Sequence, residues 1–323
     1  ARDPAITDLR AQYCILDQGD YGPQTCELLT KASVENTHIK TLKFADFPPS
    51  ACSALGKALE LGMHLTSLTV HEACGIMHDQ AGVAIANGLL HNTHLGTLKL
   101  QGAFGPMTGL ALSRVLSQNK TLKSLALVGK FVTEIDGAIG QGLKRNNTLQ
   151  SLRLVESGEC PGTGVMVAEA LRHNTSVKSV LIACKGGGTA TVSAMAQTLE
   201  VNTSLQTVAI VCAHTSSEAG VALRKVLETN STLTSLRLCS NEMGSEFATT
   251  IVRALRHNKT LKSLSLECFA LGKHSLGSSV CVAVAEVLRE NSTLRTLKLA
   301  GDFKDEAAIV MAQELRRNRS LQT

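Results

Sequence analysis

Residues 258–266 read Asn258-Lys259-Thr260-Leu261-Lys262-Ser263-Leu264-Ser265-Leu266, and this frame, Asn-x-x-Leu-x-x-Leu-x-Leu, decides the fold. It returns as NTHLGTLKL from Asn92, NKTLKSLAL from Asn119, NSTLTSLRL from Asn230 and NSTLRTLKL from Asn291. Softer copies start at Asn36, Asn146, Asn174 and Asn202, a Gly-led copy at Gly62, and a cut copy at Asn318. The anchors 36, 62, 92, 119, 146, 174, 202, 230, 258, 291 and 318 are separated by 26, 30, 27, 27, 28, 28, 28, 28, 33 and 27 residues. A fixed period of this size marks a repeat architecture, in which each unit buries its apolar face only by stacking on its neighbours.

Each unit has two halves. The end of the motif alternates, as in Leu125-Ala126-Leu127, the period-two signature of a short strand with one buried side. A Gly- or Pro-rich segment follows, such as AFGPMTG, and then a helical pattern: Ala219, Ala222, Leu223, Val226 and Leu227 share one helix face. The anchor Asn is placed just after the helix, where a left-handed backbone favours Gly or Asn, and Gly62 fits that reading. Cations before the anchor, such as Lys144-Arg145 and Arg316-Arg317, suit a helix C-terminus. The expected fold class is α/β: a horseshoe solenoid with an inner parallel sheet and outer helices. At least ten strands are expected, around Leu42, Leu68, Leu98, Leu125, Leu152, Val180, Val208, Leu236, Leu264 and Leu297. Residues 1–35 are read as a degenerate N-terminal repeat or cap. Residues 36–323 are read as about ten units, cut short at the C-terminal end, so the chain is expected to be a segment of a longer protein.

Composition narrows the function. Hydrophobic residues are 44% of 323, enough for a sizeable core, and with no Trp and two Tyr that core must be aliphatic. A net charge of +5 is too mild to suggest a dedicated nucleic-acid surface. No run of eighteen apolar residues is present, so no membrane span is expected. The ten Cys form no CxxC pair and read as reduced, buried thiols. Eight Asn-x-Ser/Thr sequons fall on the anchors, where glycans would crowd a packed rim. Together these point to a cytoplasmic location.

With units of about 28 residues, TLKSLxL strands and AxALRxN-type helices, the chain resembles the ribonuclease-inhibitor-like leucine-rich-repeat family over roughly residues 25–323. That family includes the Ran GTPase-activating protein and the repeat domains of immune receptors. The resemblance implies protein recognition on the horseshoe. Family members place Asn or Cys three residues after the second strand Leu; here only Asn241 fits. Cys184, Cys212 and Cys268 stand one residue earlier and suggest a stacked structural thiol row.

The concave face is read from strand alternation. One position is Ser or Thr in every copy, from Thr41 to Thr296. The next reads Lys43, Thr69, Lys99, Ala126, Arg153, Leu181, Ala209, Arg237, Ser265, Lys298, and two further on the centre is again apolar, with Val155, Ala183 and Val211. Cations around an exposed apolar centre suit a protein-binding surface. The candidate contacts are Lys43, Lys99, Arg153, Leu181, Ala209, Val211, Arg237 and Lys298. The 33-residue unit after Asn258 adds a rim loop with Phe269, Lys273 and His274.

Signals for chemistry are weak. His71, Cys74 and His78 could ligate zinc, but paired ligand spacing is lacking, and no metal site is assigned. Cys184-Lys185-Gly186-Gly187-Gly188 lacks the phosphate-loop spacing. No nucleophile, base and orienting group recur together, so no enzyme and no cofactor is expected. The reading is a protein–protein interaction module, a scaffold or a subunit of an intracellular hetero-complex or longer chain. The alternatives are a GTPase regulator resembling the Ran GTPase-activating protein, or the ligand-sensing repeats of an immune-type receptor.

Overall fold

A computed structural model describes residues 7–12, 23–47, 51–72, 79–158, 162–269, 276–301, 303 and 305–322. The chain divides into two compact units, Ala1–Ala170 and Leu171–Thr323.

In the first unit, strands and helices alternate: β1 (Asp8–Gln12), α1 (Pro23–Glu35), β2 (Thr41–Phe47), α2 (Cys52–Glu60), β3 (Ser67–Glu72), α3 (Asp79–His91), β4 (Thr97–Phe104), α4 (Pro106–Gln118), β5 (Ser124–Phe131), α5 (Thr133–Arg145), β6 (Ser151–Glu156) and α6 (Thr163–Leu171). Each strand pairs in parallel with the next in sequence. The second unit repeats the plan with β7 (Ser179–Ala183), α7 (Gly188–Leu199), β8 (Thr207–His214), α8 (Ser217–Thr229), β9 (Ser235–Glu242), α9 (Ser245–Ala254), β10 (Ser263–Cys268), α10 (Ser278–Glu290), β11 (Thr296–Ala300) and α11 (Asp305–Leu315). Its strands are likewise parallel and in sequence order. The register joins equivalent repeat positions, Ser124 opposite Ser151 and Ser235 opposite Ser263. Both units therefore show the α/β leucine-rich-repeat solenoid.

The core follows from the motif. The motif leucines, such as Leu122, Leu125 and Leu127 in one repeat and Leu233, Leu236 and Leu238 in another, are buried. Helix residues such as Ala219, Leu223, Val226 and Leu227 cover them. Leu125→Ala or Leu236→Ala is expected to lower stability by about 3 kcal/mol, the lost transfer energy plus a cavity, read as a shifted denaturant midpoint. An unshifted midpoint in both would mean that these side chains are not the core.

The anchor Asn does not adopt the left-handed backbone that sequence suggests. Asn119, Asn146, Asn230 and Asn291 are extended, with ψ of 132°, 133°, 130° and 118° and negative φ. The variant anchor Gly62, by contrast, has a positive φ of 88°. Asn is needed for its side chain instead. The Asn119 Oδ1 accepts from the backbone N–H of Thr121 and Leu122, while its Nδ2 donates to Leu89 O at 2.7 Å and Asn92 O at 3.0 Å in the preceding repeat. The amide thus closes its own turn and staples it to the turn before.

A second staple lies at the opposite ends of the helices. In sequence AFGPMTG reads as a loop, yet β4 runs to Phe104 and α4 starts at Pro106. Proline suits the first helical turn because it has no N–H to leave unpaired. The next N–H groups, of Met107 and Thr108, donate to the Asp79 carboxylate from the preceding repeat at 2.9 and 2.7 Å. Asp79, the last residue of HEACGIMHD, is thereby committed to capping; Cys74 and His78 lie outside the described residues.

Candidate functional site

The strand face of the second unit gathers most of the candidate residues. Leu181, Ala209, Arg237, Ser265 and Lys298 occupy one ladder row, each opposite the next, and Ala183, Val211, Cys239, Glu267 and Ala300 occupy another. Leu181 and Val211 are half-buried, and Arg237 and Lys298 are exposed. Ala209 departs from the expected exposure: its short side chain stands between the longer Leu181 and Arg237 and is only 7% exposed. The apolar centre is therefore thinner than the alternation implies.

Glu267, passed over in the sequence, organises this face. Its carboxylate is buried and accepts from Arg237 Nε at 2.9 Å, Lys298 Nζ at 2.8 Å and Ser265 Oγ at 2.8 Å. Burial alone would raise its pKa. The hydrogen bonds from Lys298 and Ser265 and the Arg237 charge outweigh burial, so the pKa lies below the ordinary carboxylate value. Two cations share one anion, which fixes both and leaves the cluster with a surplus positive charge. The signal that could have found Glu267 is its place in the register, one strand from each cation.

A carboxylate with a depressed folded pKa contributes stability above its unfolded pKa of about 4.3, and loses it as pH falls through the lower folded value. Glu267→Gln is therefore expected to cost about 1–2 kcal/mol at neutral pH, modest because both cations are half-solvated. The gap from the parent should narrow toward about pH 3 in denaturant titrations. An equal gap at both pH values would sink this account.

The predicted thiol row is buried. Cys212 faces Ser240, which faces Cys268, while Cys184 N–H donates to Val211 O at 2.9 Å. Burial, with Cys184 adding to it, pushes the Cys212 thiol up to about 12, far from a nucleophile's range. Burial also raises the Cys239 thiol, with the neighbouring Glu267 charge adding to it.

In the first unit, Lys43, Lys99 and Arg153 share a ladder row in which Thr69 and Ala126 intervene. Alternate strands hold like charges roughly 9–10 Å apart, about a Debye length, so their repulsion is small. Lys43 and Lys99 are half-buried and Arg153 is exposed. Of the rim loop, Phe269 is 62% exposed, while Lys273 and His274 lie outside the described residues. Among the described residues no group of three His, Cys, Asp or Glu could hold a metal, and no helix is long and apolar enough to cross a membrane.

The Asn-anchored repeat, the parallel register and the outer helices define a leucine-rich-repeat protein. One family model, the TMOD/LMOD leucine-rich domain, matches residues 184–318, rather than a model of the Ran GTPase-activating protein or of immune-receptor repeats. No curated protein matches the chain. Similar solved structures include leiomodin-1 actin-binding site 2, with 23% identity over 49% of this chain and 88% of that one and a TM-score of 0.38. The tropomodulin C-terminal domain of Caenorhabditis elegans shows 16% identity over 47% and 90%, with a TM-score of 0.37. The Rad7 and Elc1 complex in yeast shows 16% identity over 91% and 75%, with a TM-score of 0.52.

Proposed function

We propose that this chain is a protein-interaction module, without catalytic chemistry or a cofactor of its own, and that the strand face of its second unit receives the partner. The observation that carries this reading is the Arg237–Glu267–Lys298 cluster beside half-buried Leu181 and Val211. A fixed, positively biased cluster next to apolar side chains offers a partner little ordering cost and a defined charge to meet. The candidate contacts on this face are Leu181, Val211, Arg237 and Lys298; Lys43, Lys99 and Arg153 form a separate candidate row on the strand face of the first unit. The TMOD/LMOD match over residues 184–318 supports the role and makes actin, named for the leiomodin-1 site, the first partner to try.

The test is co-sedimentation with actin filaments and fluorescence titration with actin monomers. Arg237→Glu with Lys298→Glu, which reverses two cations around one carboxylate, is expected to weaken binding by at least about tenfold. Failure to bind either form of actin removes actin as the partner. Unchanged affinity in the double variant removes this face as the contact.

A further inference from the structure

At the turn between α10 and β11, beside the turn that follows α11, an open cleft of about 320 Å³ is walled by four arginines, Arg289, Arg295, Arg317 and Arg319. We propose that this cleft binds a compact ligand bearing two or more phosphate groups.

The charge count comes first. Glu290 is the one acidic wall residue, and its carboxylate is taken by Arg256 at 2.6 Å. Beneath the wall, buried Glu314 is shared by Arg289 at 2.8 Å and Arg317 at 3.6 Å. Arg295 donates to the Ser320 carbonyl, a neutral partner, at 3.1 Å. Arg319 is exposed, with no ion-pair partner among the described residues. Four guanidiniums thus meet one shared carboxylate and one already committed, and the cleft keeps a net positive field.

Helix-end complementarity accounts for Arg289, in the last turn of α10, and suits Arg317 just after α11, but it does not account for Arg295 and Arg319. It would place cations at every helix C-terminus, and it reaches only the last turn. Elsewhere in this unit the turn varies: the repeats anchored on Asn202 and Asn230 carry Glu200, Val201 and Gln206, and Glu228, Thr229 and Thr234, whereas the repeat anchored on Asn258 carries Arg256, His257, Lys259 and Lys262. Arg295 and Arg319 lie beyond the helices altogether.

Size and chemistry select the ligand. The volume matches the small end of small-molecule sites, and a folded partner does not enter such a space. Each guanidinium presents a planar fork that binds two oxygens. A carboxylate supplies two oxygens and one charge. Adjoining phosphates supply enough of both for several forks, and the wall hydroxyl of Ser292 can donate as well.

The test is calorimetric titration of the 323-residue chain with inorganic pyrophosphate and with inositol hexakisphosphate, at about physiological salt. Saturable binding is expected, tighter for the second. Arg319→Ala, which removes an unpaired exposed side chain, is expected to weaken it several-fold, and Arg295→Ala with Arg319→Ala by at least about tenfold. Lys120→Ala with Lys123→Ala, on basic turns of the first unit, should leave it unchanged. Flotation on phosphatidylcholine vesicles containing phosphatidylinositol bisphosphate, with the hexakisphosphate as competitor, separates a lipid headgroup from a soluble ligand; either source supports the cleft. No binding of either phosphate probe, binding of polyglutamate alone, or equal weakening by the two double variants would overturn it.

Discussion

Asn202→Ala is expected to destabilise the protein by about 4–5 kcal/mol, the penalty of two orphaned backbone N–H groups together with the lost bonds to the preceding turn. Asn202 is buried, and its amide makes five hydrogen bonds, one of them accepted from the Ser204 hydroxyl at 3.2 Å. Nδ2 donates to Leu171 O at 2.7 Å and Asn174 O at 2.8 Å, and Oδ1 accepts from Ser204 N–H at 2.9 Å and Leu205 N–H at 2.8 Å. Asn174 O keeps the Ser204 hydroxyl and Leu171 O keeps the Asn174 N–H at 3.2 Å; the N–H groups of Ser204 and Leu205 are left without the bonds the amide supplied. Asn202→Asp separates the two halves of the staple. It retains the acceptor but turns an anion toward Leu171 O and Asn174 O. It should be at least as damaging at neutral pH and should recover part of the loss on acidification, when one oxygen can donate. Denaturant melts give the stability, and hydrogen exchange at Ser204 and Leu205 localises the loss. A loss below about 1 kcal/mol, the net worth of a single ordinary hydrogen bond, would reduce the anchor to a turn preference.

The same residue marks how far the sequence could be read. Its period located the strands, because stacking forces each copy of Leu-x-Leu into register, and Ser235 opposite Ser263 is what equal spacing demands. Its role was not legible. Asn serves equally as a left-handed cap and as a side-chain staple, and a one-letter pattern carries no φ. The partners of the staple also lie about a repeat away, Leu171 for Asn202 and Leu89 for Asn119. Asp79 escaped for the same reason: it caps a helix that begins 27 residues later, at Pro106. On the strand face, alternation placed Arg237 and Lys298 correctly in one row. It could not show that Glu267, in the adjoining row, binds both, or that Ala209 is too short to reach the surface.

Gly129→Ala is expected to cost about 4–5 kcal/mol, from backbone strain and a collision that no side chain can relieve. Gly129 has φ 142°, a backbone region that L-residues rarely adopt. It pairs with Gly102 on β4, and an added methyl would lie well inside contact distance of the Gly102 carbonyl oxygen. The obstacle is backbone held in a ladder, so relief requires parting β4 from β5. On its other side Gly129 O accepts from Ser157 N–H at 2.8 Å, so moving the residue also weakens its hold on the strand that follows. Gly137→Ala in α5 supplies the contrast. Nothing lies within 4 Å of the methyl that would be added there, and its φ is not positive. In that helix alanine should raise stability by about 0.5–1 kcal/mol, the propensity difference alone. The two substitutions add the same atom to the same repeat and should shift the unfolding midpoint in opposite directions. Equal shifts would show that β4 and β5 do not approach through paired glycines, and would remove the packing reason for glycine at that point of the repeat.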